Sequence, residues 1–226
     1  MADKKCRLIV IDGLDGSGKA TQSKLLAQRL SDMGYKAETV SFPDYESDSS
    51  ALVRMYLGGR LGSSPDDVNA YAASSFYAVD RVASYINSWG RDYAEYDYII
   101  ADRYTTSNII HQMAKLPEDE RDDYVEWLYD YEYNRLGLPA PDMVIFLDVD
   151  PDISQKLIYG RYSGDESKKD IHERDFKYLL RCRTSAMYAA EHLGWITVKC
   201  SEGGSMRSID DIGDSILDLI KERFDA

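Results

Sequence analysis

A glycine-rich turn between an apolar run and an amphipathic helix constrains this chain more than any other feature. Arg7 to Ile11 reads as a buried strand, and Thr21 to Met33 reads as a helix carrying Leu25, Leu26 and Leu30. Between them stands Gly13-Leu14-Asp15-Gly16-Ser17-Gly18-Lys19. The spacing from Gly13 to Gly18-Lys19 is that of a P-loop, and a strand before with a helix after is the context such a loop requires. Glycines let consecutive backbone N–H groups converge on phosphate oxygens, the helix N-terminus adds positive potential, and Lys19 reaches the β- and γ-phosphates. Gly13, Asp15, Gly16, Ser17, Gly18, Lys19, Ala20 and Thr21 are the candidate ATP contacts.

Ala20 departs from the pattern, because the motif usually places a Ser or Thr hydroxyl there for magnesium and a methyl group cannot coordinate a metal. Two readings stay open. Thr21 substitutes for the missing hydroxyl, or Mg²⁺ is held by the nucleotide phosphates, by water and by an acid elsewhere, as an ion that commonly keeps several waters permits.

The rest of the chain alternates strand and helix. Lys36 to Phe42 reads as a second strand stopped by Pro43, and Tyr98 to Ala101, Met143 to Leu147 and Ile196 to Val198 are three more short apolar runs. This alternation predicts an α/β fold with a parallel sheet and helices on both faces. Asp66 to Ser88 is expected to be one amphipathic helix, its core stripe formed by Val68, Ala72, Phe76, Val79, Ala83 and Ile86. Ile209, Ile212, Ile216, Leu219 and Ile220 form a similar stripe near the C-terminus. Tyr159 to Lys169, with Gly160, Gly164, several charges and few apolar residues, reads as a mobile loop between two helices. A length of 226 residues without repeats or linkers reads as one domain, residues 1–226.

Composition excludes several function classes. A formal net charge of -13 argues against a nucleic-acid partner, which needs a basic face to displace counterions. No apolar run approaches the roughly 20 residues of a membrane span. The start, Met1-Ala2-Asp3-Lys4-Lys5, leads into a short apolar run rather than a signal peptide, so export is not expected. Three cysteines, Cys6, Cys182 and Cys200, are odd in number and lack metal-ligand spacing, which fits reduced thiols in a cytoplasmic protein.

Five landmarks follow one another along the chain: the glycine loop, Phe42-Pro43, Asp80-Arg81, Asp102-Arg103-Tyr104, and Gly137-Leu138-Pro139 with Pro141-Asp142. In this order and spacing the chain resembles the thymidylate kinase family over nearly its whole length. The resemblance implies a P-loop kinase fold, a five-stranded parallel sheet flanked by helices with a mobile LID at about 159–170. It also implies ATP-dependent phosphorylation of dTMP to dTDP with Mg²⁺, and a homodimer packed through helices such as Asp66 to Ser88.

Residue by residue, the resemblance gives Asp15 to the deoxyribose 3′-OH and Arg103 to the acceptor phosphate, which a planar guanidinium suits bidentately. Asp102 would hold magnesium through water. Tyr77 and Arg81 lie four apart on one helix face, the ring to stack on thymine and the arginine to donate to a base carbonyl. Phe42 lines the same pocket, Tyr45 reaches toward the acceptor phosphate, and Ser107 and Asn108 stand on the base side. His111 occupies a position where many members carry an aromatic that crowds the sugar 2′ carbon. Because Gly16 stands where some members carry an arginine, the catalytic cation is expected on the LID, at Arg161, Lys168 or Lys169. Asp170 and Glu173 open the helix after it, on the acceptor side. Three alternatives remain at this level. One is the same fold with another deoxynucleotide or a nucleoside as acceptor. A second is a nucleotide-binding regulator without turnover, motivated by Ala20. The third, a GTP switch, lacks its Asn-Lys-x-Asp guanine motif.

Overall fold

The computed structural model describes residues 6–91 and 93–224, so the reading of Met1 to Lys5 lies outside the described residues. Five strands, β1 (Arg7–Gly13), β2 (Ala37–Ser41), β3 (Tyr98–Asp102), β4 (Met143–Asp148) and β5 (Ile196–Lys199), form one parallel sheet in the order β2-β3-β1-β4-β5. All five anticipated runs are strands, each close to its expected bounds. The three inner strands, β3, β1 and β4, are buried on both faces, as the centre of a parallel sheet covered by helices must be, while β2 and β5 are the more exposed edges. In β1, Ile9 and Ile11 enter one core while Leu8 and Val10 enter the opposite one, the two-residue alternation of a pleated strand.

Helices α1 (Lys19–Asp32) and α9 (Ile209–Phe224) cover the first face, where Leu26, Leu30, Ile212, Ile216 and Ile220 pack on Ile9, Ile11, Ile145 and Leu147. The second face is covered by α3 (Ala70–Asn87), α4 (Thr106–His111), α5 (Arg121–Tyr129) and α8 (Phe176–His192). Short helices α2 (Ala51–Leu57), α6 (Pro151–Arg161) and α7 (Ile171–Arg174) rim the carboxyl end of the sheet. There the connection from β1 to β2 and that from β3 to β4 diverge to opposite sides. This is the switch point at which open parallel sheets leave a crevice for ligands.

Two expectations are corrected. The helix expected from Asp66 to Ser88 begins only at Ala70. Pro65–Asp67 forms a separate turn capped by Ser64, Val68 is extended, and the Asn69 side chain accepts from Ala72 N at 2.8 Å to start α3. Its buried face is also not the expected apolar stripe. Val79 and Ile86 are 44% and 60% exposed, whereas Ala73, Ser74, Ala78, Asp80 and Arg81 are buried. The inversion has a physical cause: Asp80 accepts from Asp44 N and Ser49 Oγ, and Arg81 donates to Glu132 and Tyr104 O, and a buried charge is tolerated when it is paired and hydrogen-bonded. The second correction concerns the loop expected from Tyr159. Helix α6, opened by Asp150 and Pro151, continues to Arg161 because Ile158 anchors its last turn, and it stops where Ser163 (φ 52°) and Gly164 (φ 81°) turn left-handed.

Eighteen tyrosines find a structural use here. Tyr56, Tyr104, Tyr124 and Tyr178 are wholly buried, and each hydroxyl has a partner: Pro65 O, Pro139 O, Ser74 Oγ and His111 O. A tyrosine buries a large ring while its tip ties one element to another. Replacing Ile216 by Ala should cost about 2–5 kcal/mol in urea unfolding, against no more than about 0.5 kcal/mol for Ile209→Ala. Equal losses would show that α9 is not docked through the Ile212–Ile216–Ile220 side.

Candidate active site

The turn from β1 into α1 is shaped by three glycines at φ 158°, 79° and 88°, Gly13, Gly16 and Gly18. At Gly16 a Cβ would stand 2.9 Å from Ser154 O in a left-handed conformation, so no side chain fits. Gly18 precedes α1 without any side-chain cap, which leaves the first N–H groups of that helix for an anion. Ser17 Oγ is buried with no partner among the described residues, an orphaned donor inside the same cradle. Lys19 folds back and donates to Leu14 O at 2.8 Å. Burial, then the nearby Arg103 charge, pushes its ammonium down to about 8, against the opposing pull of Asp15 and Asp102. A bound polyanion would reverse that shift.

Arg103, the residue after β3, has a left-handed backbone, φ 66°, unusual for a residue with a Cβ and of the kind that persists where the surroundings enforce it. Its N–H donates to Ile11 O at 3.1 Å. The guanidinium donates to Asp15 through Nη2, and Nη1 reaches Ser107 Oγ at 3.3 Å and His111 Nε2 at 3.2 Å. Beneath it Asp12, wholly buried at the end of β1, accepts from Gly13 N (2.8 Å), Thr106 Oγ1 (2.6 Å) and Ser107 Oγ (2.9 Å). Burial works against the Asp15 charge, but Arg103 and then Lys19 outweigh it and hold that carboxyl well below its ordinary range.

The floor beside this group is built on Glu132, wholly buried in a wide helical turn (Asp130–Arg135) that follows α5. Arg81 of α3 binds it bidentately, Nε at 2.7 Å and Nη2 at 2.6 Å, and Nη1 donates to Tyr104 O at 3.3 Å. Asn108 Nδ2 donates to Glu132 at 3.1 Å and to Ser74 O at 3.4 Å, so its Oδ1 is the atom left for a ligand. Asp80, next to Arg81, accepts from Asp44 N (2.8 Å) and Ser49 Oγ (2.7 Å), which holds the loop after Phe42-Pro43. Phe42 packs on Tyr104 and Trp89.

These parts line or support one cleft of about 900 Å³. Asp15, Gly16, Gly18, Lys19, Ala20 and Thr21 line it, as do Phe42, Tyr45, Tyr77, Arg81, Asp102, Arg103, Ser107, Asn108 and His111. Arg161 approaches from the end of α6 and Lys168 and Lys169 from the segment after it, each paired with an acid: Glu173 at 3.4 Å, Asp165 at 3.7 Å and Glu166 at 3.1 Å. Asp170 caps α7 through His172 N and Glu173 N, and burial, then the nearby Asp15, raises its carboxyl to about 7. Of the residues expected at a site, Gly13 and Ser17 alone are not in the cleft wall; both shape the turn behind it.

The family model for thymidylate kinase matches residues 11–207. Thymidylate kinase of Mycobacterium tuberculosis is 33% identical over 184 residues, 80% of this chain and 84% of that protein. Thymidylate kinase of Schizosaccharomyces pombe is 32% identical over 216 residues, 95% of this chain and 91% of that one. Among solved structures, thymidylate kinase from Candida albicans shares the fold, with a TM-score of 0.69 at 21% identity over 96% of this chain and 92% of that chain. The chain belongs to the thymidylate kinase family.

As a thymidylate kinase family member it is expected to use Mg²⁺, and the donor set fits a cation that keeps most of its water. Asp102 closes β3 in the cleft wall near Lys19, its carboxylate without a hydrogen bond or ion pair among the described residues, and burial raises its pKa. Ala20 offers nothing, and the Asp12 carboxylate is already taken by Thr106 and Ser107. Among the described residues no group of three or more His, Cys, Asp or Glu stands in a metal-binding arrangement.

Sequence reading missed four site residues. Asp12 left one signal, a charge ending an otherwise apolar strand. Glu132 left none, since an acid in a Tyr-rich polar helix looks solvated. Arg54 of α2, which lines the cleft and donates to Tyr45 O (2.9 Å) and Ser47 O (2.8 Å), looked like a surface residue. His172 stacks on His111 with centroids 5.3 Å apart, a contact no local pattern encodes.

Two outcomes are expected. Glu132→Ala leaves Arg81 buried and unpaired and should lower unfolding stability by about 3–5 kcal/mol, whereas Arg81→Met with Glu132→Leu should recover most of that loss without recovering activity. The second concerns Lys19, whose folded pKa of about 8 lies below the ordinary 10.5. Over that window the unfolded chain binds more protons, so stability rises with pH, while ATP affinity falls because the ammonium is what grips phosphate. Calorimetric titration of ATP across pH 8 should show the fall, and Lys19→Met should abolish it; a flat wild-type profile counts against the shift.

Proposed function

We propose that this chain transfers the γ-phosphoryl group of ATP to the phosphate of dTMP, giving ADP and dTDP. The observation that carries the reading is that the glycine cradle with Lys19 and the constrained Arg103 line one cleft whose floor is Tyr77, Arg81 and Asn108. A guanidinium has five N–H donors; three on Arg81 are engaged, leaving two for a base carbonyl. With Asn108 Oδ1 beside them, the floor offers donors and an acceptor. That pair complements the O4 and N3–H edge of thymine, and it opposes cytosine, whose N4 donates and whose N3 accepts.

In this reading the backbone N–H groups of the loop, Ser17 and Lys19 hold the donor phosphates, and Arg103 holds the acceptor phosphate. Asp15 receives the sugar 3′-OH, Phe42 and Tyr77 enclose the base, and Tyr45, Ser107 and His111 complete the acceptor wall. An acceptor phosphate oxygen is already anionic, so the bond from γ-phosphorus to the β-bridging oxygen breaks as the new P–O bond forms, without a general base. Positioning and charge neutralisation supply the rate. Magnesium, when bound by the nucleotide and Asp102, supplies further neutralisation of the β- and γ-phosphates. Residues 159–170, the last turn of α6 and the segment after it, act as the lid of a single catalytic domain. Arg161, Lys168 and Lys169 are its candidate cations, and closure exchanges their acid partners for the transferring phosphoryl group and excludes water.

The exposed stripe on α3, Val79 and Ile86 with the half-buried Phe76 and Ala83, is proposed as the face of a homodimer, in line with what the resemblance implies. A cytoplasmic setting is proposed from three free, buried cysteines. No nucleic acid is proposed as partner of a chain with net charge -13. No helix among the described residues is long and apolar enough to cross a membrane.

Coupled ADP release with Mg-ATP should show dTMP as the preferred acceptor over dCMP, dAMP, dGMP and thymidine. Lys19→Ala and Arg103→Ala should each lower turnover on the order of 100-fold or more. Near-full activity in either variant, or a purine nucleotide as best acceptor, would overturn these roles. Sedimentation velocity should show a dimer that Ile86→Asp converts to monomer; a wild-type monomer rejects the interface.

A further inference from the structure

His111 is the last residue of α4, and both of its ring nitrogens are already engaged. Nε2 lies 3.2 Å from Arg103 Nη1, and Nδ1 lies 3.5 Å from Cys182 Sγ of α8. A guanidinium only donates and stays charged at any working pH, so Nε2 must be the acceptor and the imidazole must be neutral with its proton on Nδ1. That proton then points at the Cys182 sulfur, a weak acceptor. One ring face is covered by His172, nearly parallel at 19°. The backbone carbonyl of His111 accepts from Tyr178 OH at 2.7 Å, which pins the helix end from the α8 side.

We propose that His111 is a positioning residue for the acceptor phosphate: its Nε2 fixes the Arg103 guanidinium from the side opposite Asp15. The inference rests on the reading of Arg103 as the phosphate ligand. It replaces the expectation that His111 acts on the sugar, because the polar atoms of the ring are turned to Arg103 and Cys182. Nη2 is held by the Asp15 carboxylate, and Nη1 donates to two neutral acceptors, Ser107 Oγ and His111 Nε2, with Asp12 Oδ1 3.8 Å beneath it. With two carboxylates already beside the guanidinium, a neutral acceptor suits this place better than a third. It orients the N–H groups without cancelling the positive charge that the phosphate must meet. The surroundings enforce neutrality: burial first, then Arg103 and the stacked His172, hold the imidazole well below its ordinary range, and Lys19 adds to them against the pull of Asp15. The buried Cys182 thiol, itself pushed up by burial, supplies no charge.

Two arms test this. The first needs no variant: ¹⁵N-histidine NMR of the wild-type protein at neutral pH should show His111 as the neutral Nδ1–H tautomer. An imidazolium or an Nε2–H tautomer would overturn the proposal. The second is calorimetry with dTMP and with thymidine, which lacks the phosphate, on His111→Phe, His111→Leu and His111→Gln. The Phe and Leu variants should bind dTMP about 10-fold more weakly or worse, with thymidine affinity changed by no more than about twofold, as loss of one hydrogen bond to a charged group predicts. Gln, whose Oε1 can accept from Arg103, should restore dTMP binding to within about threefold. In steady state the KM for dTMP should rise while the KM for ATP stays put. Equal weakening of dTMP and thymidine would assign His111 to the sugar and overturn the proposal, as would a Gln variant no better than Phe. Arg103→Ala separates the two layers. If it weakens dTMP and thymidine alike, the phosphate reading of Arg103 fails and takes this proposal with it; if it weakens dTMP alone, any failure belongs to His111.

Discussion

The guanidinium of Arg103 joins two stretches of chain 88 positions apart. Asp15 comes from the glycine loop, Ser107 and His111 from α4, and the buried Asp12 stands under all of them at the end of β1. Its charge is costly to bury and is retained because acids surround it: burial alone would lower its pKa, but Asp15, then Asp12 and Asp102, raise it. A cation so placed fixes the distance between the donor cradle and the acceptor wall. The left-handed backbone at Arg103 is the geometric counterpart, since an extended residue there would continue the pleat and send its side chain to a face of the sheet.

A second buried charge pair performs the same service for the floor. Glu132 gathers Arg81, Asn108 and Thr105, so residues from α3, α4 and the wide turn after α5 share one carboxylate. Such a pair contributes little net stability compared with well-packed apolar residues, but it aligns donors that a hydrophobic core cannot align. Around it the buried tyrosines bridge elements through their hydroxyls, which makes this half of the molecule rigid and polar at once. The opposite core, Ile- and Leu-rich between α1 and α9, has no buried charge pair and is built mostly from aliphatic side chains.

The lid side is organised differently. Its cations are paired with acids on the same short segment or on α7, and each pair has at least one exposed partner. Exposed ion pairs contribute about 0–1 kcal/mol each, so a nucleotide can exchange them at small cost. Rigid charge at the floor and exchangeable charge at the lid suit a site that must open for each turnover.

Much of this was written in local sequence. Strand positions follow from short apolar runs bounded by turn residues, and the glycine loop is legible because phosphate binding demands backbone conformations that only glycine adopts. Tertiary structure decided the rest. Which face of α3 turns inward depended on Glu132, some 51 positions beyond Arg81, and an inward arginine is stable only when such a partner exists. The apolar stripe of the same helix, read alone, pointed the wrong way. Likewise His111 is chemically ambiguous until Arg103 and Cys182 stand on either side of it and settle which nitrogen carries the proton. Periodicity and turn chemistry act over a few residues and can be read from the chain. Desolvation and pairing of charge act through space, and only the folded arrangement says which groups meet.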